Sequence, residues 1–169
     1  MIALVFFLIF FQAFGACVGA FSALWGEVVY IVAMRDGKID KAERAHLTAI
    51  GQGLRFGMAM LLLASFALII VDFTLRVSRQ PALTPSYWIF IFLALAVIVA
   101  SWLLARKKIS FIAGSAILIT SWALLVFLTL GLLPVISVLA IVALFVILVV
   151  VLYAVIYYAR LIASSPRNR

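Results

Sequence analysis

Charge is the scarcest commodity in this sequence. Asp, Glu, Lys and Arg together supply 11% of its 169 residues, against 69% hydrophobic residues. A water-soluble fold is excluded, because apolar blocks this long cannot all be hidden in a core of this size. Cysteine is nearly absent as well. The lone Cys17 excludes an intrachain disulfide and every CxxC metal or redox motif. The lone His46 excludes haem held by two histidines of one chain. There is no P-loop or other phosphate motif and no Ser–His–Asp set that can be placed. Each lysine falls in a loop or at a helix end, which argues against a retinal Schiff base.

What is present is a series of apolar runs. A helix needs ~20 apolar residues to cross a hydrocarbon layer of ~30 Å. Five runs qualify, over about 2–34, 45–71, 87–105, 109–133 and 135–161. The breaks between them are a charged segment from Arg35 to Arg44, a segment holding Pro81 and Pro85, the basic knot Arg106-Lys107-Lys108, and an uncharged turn at Gly131 and Pro134. Lipid demands that backbone hydrogen bonds be closed internally, and no barrel-like alternation is present, so the fold class is all-α: a polytopic membrane helix bundle with five transmembrane helices. Residues 1–163 read as a single transmembrane domain and 164–169 as a short cytoplasmic tail.

Lysine and arginine set the orientation. With the N-terminus outside and the C-terminus inside, the inner side receives Arg35, Lys38, Lys41, Arg44, the basic knot, Arg160, Arg167 and Arg169. The outer side receives Arg76 and Arg79, and Arg55 lies within the second span. The net charge of +8 then has a natural counterpart in the anionic inner leaflet, and nucleic acid need not be invoked. This bias and the compactness of the chain point to a bacterial inner membrane.

The first span is long for one crossing, ~50 Å as a single helix, and is expected to tilt, protrude or break near Gly15. Phe14-Gly15-Ala16-Cys17 faintly echoes a lipobox, but no basic n-region precedes it and Phe14 suits that position poorly, so the segment is read as an uncleaved span.

Small residues allow membrane helices to approach closely. Gly15, Gly19, Ser22 and Gly26 recur at helical spacing in the first span, beside a line of Ala13, Ala16, Ala20 and Ala23. Gly53 and Gly57 lie four apart in the second. A short loop joins the two, so they are expected to pack as antiparallel neighbours, with homodimerisation through Gly15-xxx-Gly19 as the alternative. Trp25 and Trp122 lie deep in their spans and read as core. The fifth span is nearly all aliphatic and is expected to face lipid, with Tyr153, Tyr157 and Tyr158 near its inner end.

The loop Asp36-Gly37-Lys38-Ile39-Asp40-Lys41-Ala42-Glu43 matches the second half of an EF-hand, but Val32 and Met34 stand where its first acidic ligands belong. Asp40 followed three residues later by Glu43 is instead a capping box.

Ionisable groups within a span are costly, at least ~2.5 kcal/mol at the bilayer centre, and so point to function. The candidates are Glu27, His46, Gln52, Arg55 and Asp72. Glu27 continues the alanine line and points into the bundle. Counting back from the first loop puts Glu27 and His46 nearly level, and Arg55 ~10 Å deeper but leaning toward Glu27. A polar cluster of Glu27, His46, Gln52 and Arg55 between the first two helices is the expectation. Asp72 and Arg76, four apart, read as an interfacial ion pair.

Three functions fit. The first is a solute or ion translocator, or a membrane subunit of a larger assembly, centred on that cluster; five helices leave so little internal room that a pathway calls for a homo-oligomer. The second is a redox protein holding haem, copper or quinone near His46, with Met34 or the Met58-Ala59-Met60 pair as further ligands, although such methionines are usually core filler. The third is a scaffold whose charges merely fix helix register. No catalytic residue is assigned, no bound cofactor is expected, and the identity of any metal stays open.

Overall fold

The computed structural model describes residues 2–33, 41–75, 84–133 and 137–164. These form five helices: α1 (Ile2–Ala33), α2 (Lys41–Thr74), α3 (Pro85–Ala105), α4 (Phe111–Thr129) and α5 (Val138–Ser164). All five are long and apolar enough to cross a membrane. The loop around Asp36 and Asp40, the positions of Met34, Arg35 and Arg76, and the end of the tail lie outside the described residues.

The helix boundaries have local causes. Pro85 opens α3 at a position where its missing N–H is not needed. Ser110 caps α4, its hydroxyl accepting from the Ala113 N–H at 3.3 Å. The α4 helix stops at Thr129, short of the hydropathic limit at 133, because Gly131 adopts φ +68°. That turn lets the Leu132 N–H reach back to the Phe127 carbonyl at 2.9 Å, a Schellman closure. The α3 helix ends in the same way, with the Lys108 N–H on the Leu103 carbonyl at 2.9 Å, but the left-handed position is filled by Lys107 at φ +54°. In α2 the helix starts four residues before its apolar run, through the strong helix formers Lys41 to Arg44.

Neighbours in sequence run antiparallel, so α1, α3 and α5 are parallel to one another. One end of the bundle, here termed the basic end, carries Arg106, Lys107 and Lys108. At the centre is α4, which packs against α1, α3 and α5, while α2 packs on α1. More than half of α4 is buried, including Ser115, Thr120, Ser121 and Trp122. The Ser121 hydroxyl donates to the Ile117 carbonyl at 2.7 Å, which satisfies it within its own helix.

The α1 helix is continuous through Gly15. At 32 residues it spans ~48 Å, longer than a ~30 Å hydrocarbon layer. Gly15 stays in the helix because it is a contact point: a Cβ on Gly57 would sit 2.8 Å from the Gly15 carbonyl oxygen, and one on Gly15 2.8 Å from the Leu61 nitrogen. Farther toward the basic end Gly53 faces Ser22 and Gly26 faces Ile50. Trp25 is not core: it lies exposed on the outside of α1, stacked on Phe21 at 6.1 Å between ring centres. On α5, Leu139, Val146, Val150 and Ile162 are likewise exposed.

Candidate functional site: a buried ion pair flanked by clefts

The glycine face of α1 is taken up by α2. Its alanine face turns the other way, with Ala16 buried and Ala20 and Ala23 packed in the cluster that holds Trp122. Glu27 is next on that alanine line, so it points toward α4 and α5, not toward α2. It is 7% exposed.

Its partner is Arg160 of α5. Arg160 Nε donates to Glu27 Oε1 at 2.8 Å, and Nη2 donates to Oε1 at 2.6 Å and to Oε2 at 2.8 Å. The Arg160 side chain is 17% exposed. Its guanidinium carbon lies 4.5 Å from the Tyr30 ring centre and 5.0 Å from that of Phe111. Those two rings touch at 4.2 Å between centres. Charge-assisted, forked hydrogen bonds plus a quadrupolar surface are what a cation removed from water requires. The parallel course of α1 and α5 explains the meeting. Glu27 is six residues before the end of α1 and Arg160 four before the end of α5, ~9 Å and ~6 Å from the same face of the bundle.

This pairing corrects the cluster expected on α2. His46, Gln52 and Arg55 are all exposed, and none bonds Glu27. The error is one of azimuth. Trp25 and Glu27 are two residues apart, hence about 200° apart around α1. His46 lies on the Trp25 side, in a shallow groove with Phe21 and Ile50. Once Gly53 and Gly57 face α1, Gln52 and Arg55 are carried to other sides of α2. The methionines are also far from His46: Met58 joins the core cluster and Met60 packs near Gly15, so the structure does not assemble them into one ligand set with it. Among the described residues, no group of three His, Cys, Asp or Glu side chains gathers in one place.

Three clefts surround these groups. The Glu27 cleft, about 280 Å³, lies among α1 to α4 with Ser22, Gly26, Leu54, Leu104 and Ser115 on its walls. The Arg160 cleft, about 300 Å³, lies between α1, α4 and α5 on the other side of the ion pair. Tyr30 borders both. The third cleft, about 410 Å³, is at the opposite end of the bundle among α1 to α4, and Gln12, Ser65, Asp72, Ser86 and Tyr87 line it. At its floor the Gln12 side-chain amide donates to the Ser65 hydroxyl at 2.9 Å, and that hydroxyl donates to the Leu61 carbonyl at 2.6 Å.

Between the Glu27 cleft and the Asp72 cleft the bundle is closed by Ala16, Gly19, Gly57, Leu61, Trp122 and Leu125, all buried. Three helices measure the thickness of this plug. Ser22 to Gln12 on α1, Leu54 to Ser65 on α2 and Ile119 to Leu128 on α4 each amount to ~14–16 Å of helix.

Four of these groups escape a reading of the sequence. Arg160 passes for one more cation at the inner boundary. Tyr30 and Phe111 look like ordinary aromatics. Gln12 carries a usable signal, being the one uncharged amide in the first half of a long apolar helix. No protein-family model, curated protein or solved structure matches the chain.

Proposed function

We propose that this chain is a membrane translocator for a small cation, oriented with its N-terminus outside and its C-terminus in the cytoplasm of a bacterial cell. The observation that carries this reading is the pair of clefts stacked on one helix group, lying toward opposite ends of the bundle and separated by a plug of ~15 Å. That arrangement suits alternating access, in which rocking of helices about a closed centre exposes one chamber at a time.

The charge on the walls supports a cationic substrate. The chain has thirteen Lys and Arg against five Asp and Glu. Yet Glu27 lines one chamber and Asp72 the other, and no lysine or arginine among the described residues lines either. A carboxylate held at membrane depth attracts a partially dehydrated cation. The Glu27 carboxylate offers about four acceptor sites, and three are used by Arg160, which leaves Oε2 one site for a substrate. Asp72 and Gln12 provide the oxygen ligands at the other end.

The test is ion flux in vesicles. Purified protein is reconstituted with entrapped dyes for protons, Na⁺ or K⁺, and a gradient of each is imposed. At least one ion moves faster than through protein-free vesicles. Glu27→Gln and Asp72→Asn each slow it by about tenfold or more, the loss of ~1.4 kcal/mol of binding. If all three ions pass no faster than through empty vesicles, the translocator reading is wrong.

A further inference from the structure

The Arg160 cleft has a chemistry of its own that cation translocation does not use. We infer that it is a binding site for the phosphate headgroup of an anionic phospholipid. Arg160 spends Nε and Nη2 on Glu27, and Nη1 has no hydrogen-bond partner among the described residues. Arg160 borders this cleft and Glu27 does not, so a visiting group meets the guanidinium without meeting its carboxylate. Two phenols, Tyr30 and Tyr157, also border it, and their hydroxyls make no hydrogen bond among the described residues. One free amino group of the guanidinium, Nη1, with two hydroxyl donors is a set from which phosphate oxygens can accept.

The remaining walls are apolar: Ile31 of α1, Ile112 of α4 and Leu161 of α5. Free phosphate gains nothing from such walls, whereas a phosphodiester carries carbon on both sides of its charge. The volume of about 300 Å³ holds about ten atoms of water's size, enough for a headgroup and its first carbons but not for acyl chains. Those chains have a place to go. Tyr153 and Val146 are exposed on α5, two and four turns before Arg160 and so on its side of the helix, toward the middle of the span. The cleft also sits at the basic end, the side on which the surplus of Lys and Arg puts the anionic leaflet. The inference needs only a bilayer of this orientation, not transport, so failure of flux leaves it standing.

The experiment is native mass spectrometry of the detergent-purified protein with phosphatidylglycerol or phosphatidylcholine of identical chains. Inorganic phosphate is added in a parallel series. Phosphatidylglycerol is retained about fivefold or more over phosphatidylcholine, the scale of one cation acting on an anionic headgroup. Ala163→Trp, which adds bulk to the wall of the cleft and leaves both members of the ion pair in place, removes that preference. Tyr157→Phe, which keeps the volume and loses a donor, reduces it. Equal retention of the two lipids by the unmodified protein overturns the inference. So does a preference that survives Ala163→Trp in folded protein. Displacement of phosphatidylglycerol by millimolar inorganic phosphate would show an anion site without lipid recognition, and would overturn it too.

Discussion

Trp122 of α4 lies flat in the space that the missing side chain of Gly19 leaves on α1. The indole is fully buried, and a Cβ at residue 19 would overlap its six-membered ring. The same glycine backbone approaches α2, where a Cβ on Gly57 would come 2.8 Å from the Gly19 nitrogen. Two residues without side chains, Gly19 and Gly57, thus set the spacing of three helices at the plug. In a membrane, where lipid is as apolar as leucine, such shape fit is the main source of helix association. Gly19→Ala is therefore expected to destabilise the protein by about 1–3 kcal/mol through overpacking. Gly51→Ala is the control, since a Cβ there meets nothing within 4 Å. Thermal unfolding in detergent measures both. Equal melting temperatures for the two variants would show that the α1–α4 contact is looser than described.

Lys107 offers a stabilising change. It holds the left-handed position that closes α3, with φ +54°, where a side chain costs ~1–2 kcal/mol that glycine escapes. Its side chain is exposed, so little packing is lost on removing it. Lys107→Gly is expected to raise stability by about 0.5–1 kcal/mol. The counterpart, Gly131→Lys in the α4 closure at φ +68°, is expected to lower it by a similar amount. Melting curves of the two variants should move in opposite directions; movement in the same direction counts against this account of the two turns.

The five helices are legible in the sequence because hydrophobic length is a direct consequence of bilayer thickness, and each apolar run becomes one helix. Their ends are less legible. At 129 the helix stops for a backbone reason, the φ of Gly131, that hydropathy does not encode. The burial of Glu27 follows from the alanine line of α1, since Ala16, Ala20 and Ala23 share its face. The identity of its partner does not follow. Sequence spacing orders residues within a helix, but which helix lies across from that face is decided by the packing of all five. Arg160 is 133 residues away, and nothing local marks it as different from Arg106, which lies exposed at the end of α3 with its guanidinium 4.5 Å from the Trp102 ring centre. Loop arithmetic that sets Glu27 level with His46 treats α1 and α2 as an isolated pair. Spacing places depth to within a turn, for Gly26 meets Ile50, but leaves the direction around the helix axis undetermined.

The same comparison yields a quantitative contrast between Arg160 and Arg55. Removing one member of a buried pair leaves the other charge uncompensated, which typically costs about 3–5 kcal/mol. Removing both costs far less, because no bare charge remains. Glu27→Gln and Arg160→Gln are each expected to destabilise strongly, and the double variant to lose markedly less than their sum. A coupling of about 1–3 kcal/mol is the expected scale for groups in direct contact. Arg55 and His46 are exposed and distant from this pair, so Arg55→Gln and His46→Ala should each change stability by less than about 0.5 kcal/mol and add independently to Glu27→Gln. Chemical unfolding of these five variants and of the doubles Glu27→Gln/Arg55→Gln and Glu27→Gln/His46→Ala, with the unmodified chain as reference, closes all three cycles. If Arg55 rather than Arg160 proves coupled to Glu27, then α2 and not α5 carries the partner, and the ion pair that separates the two clefts at the basic end has been assigned to the wrong helix.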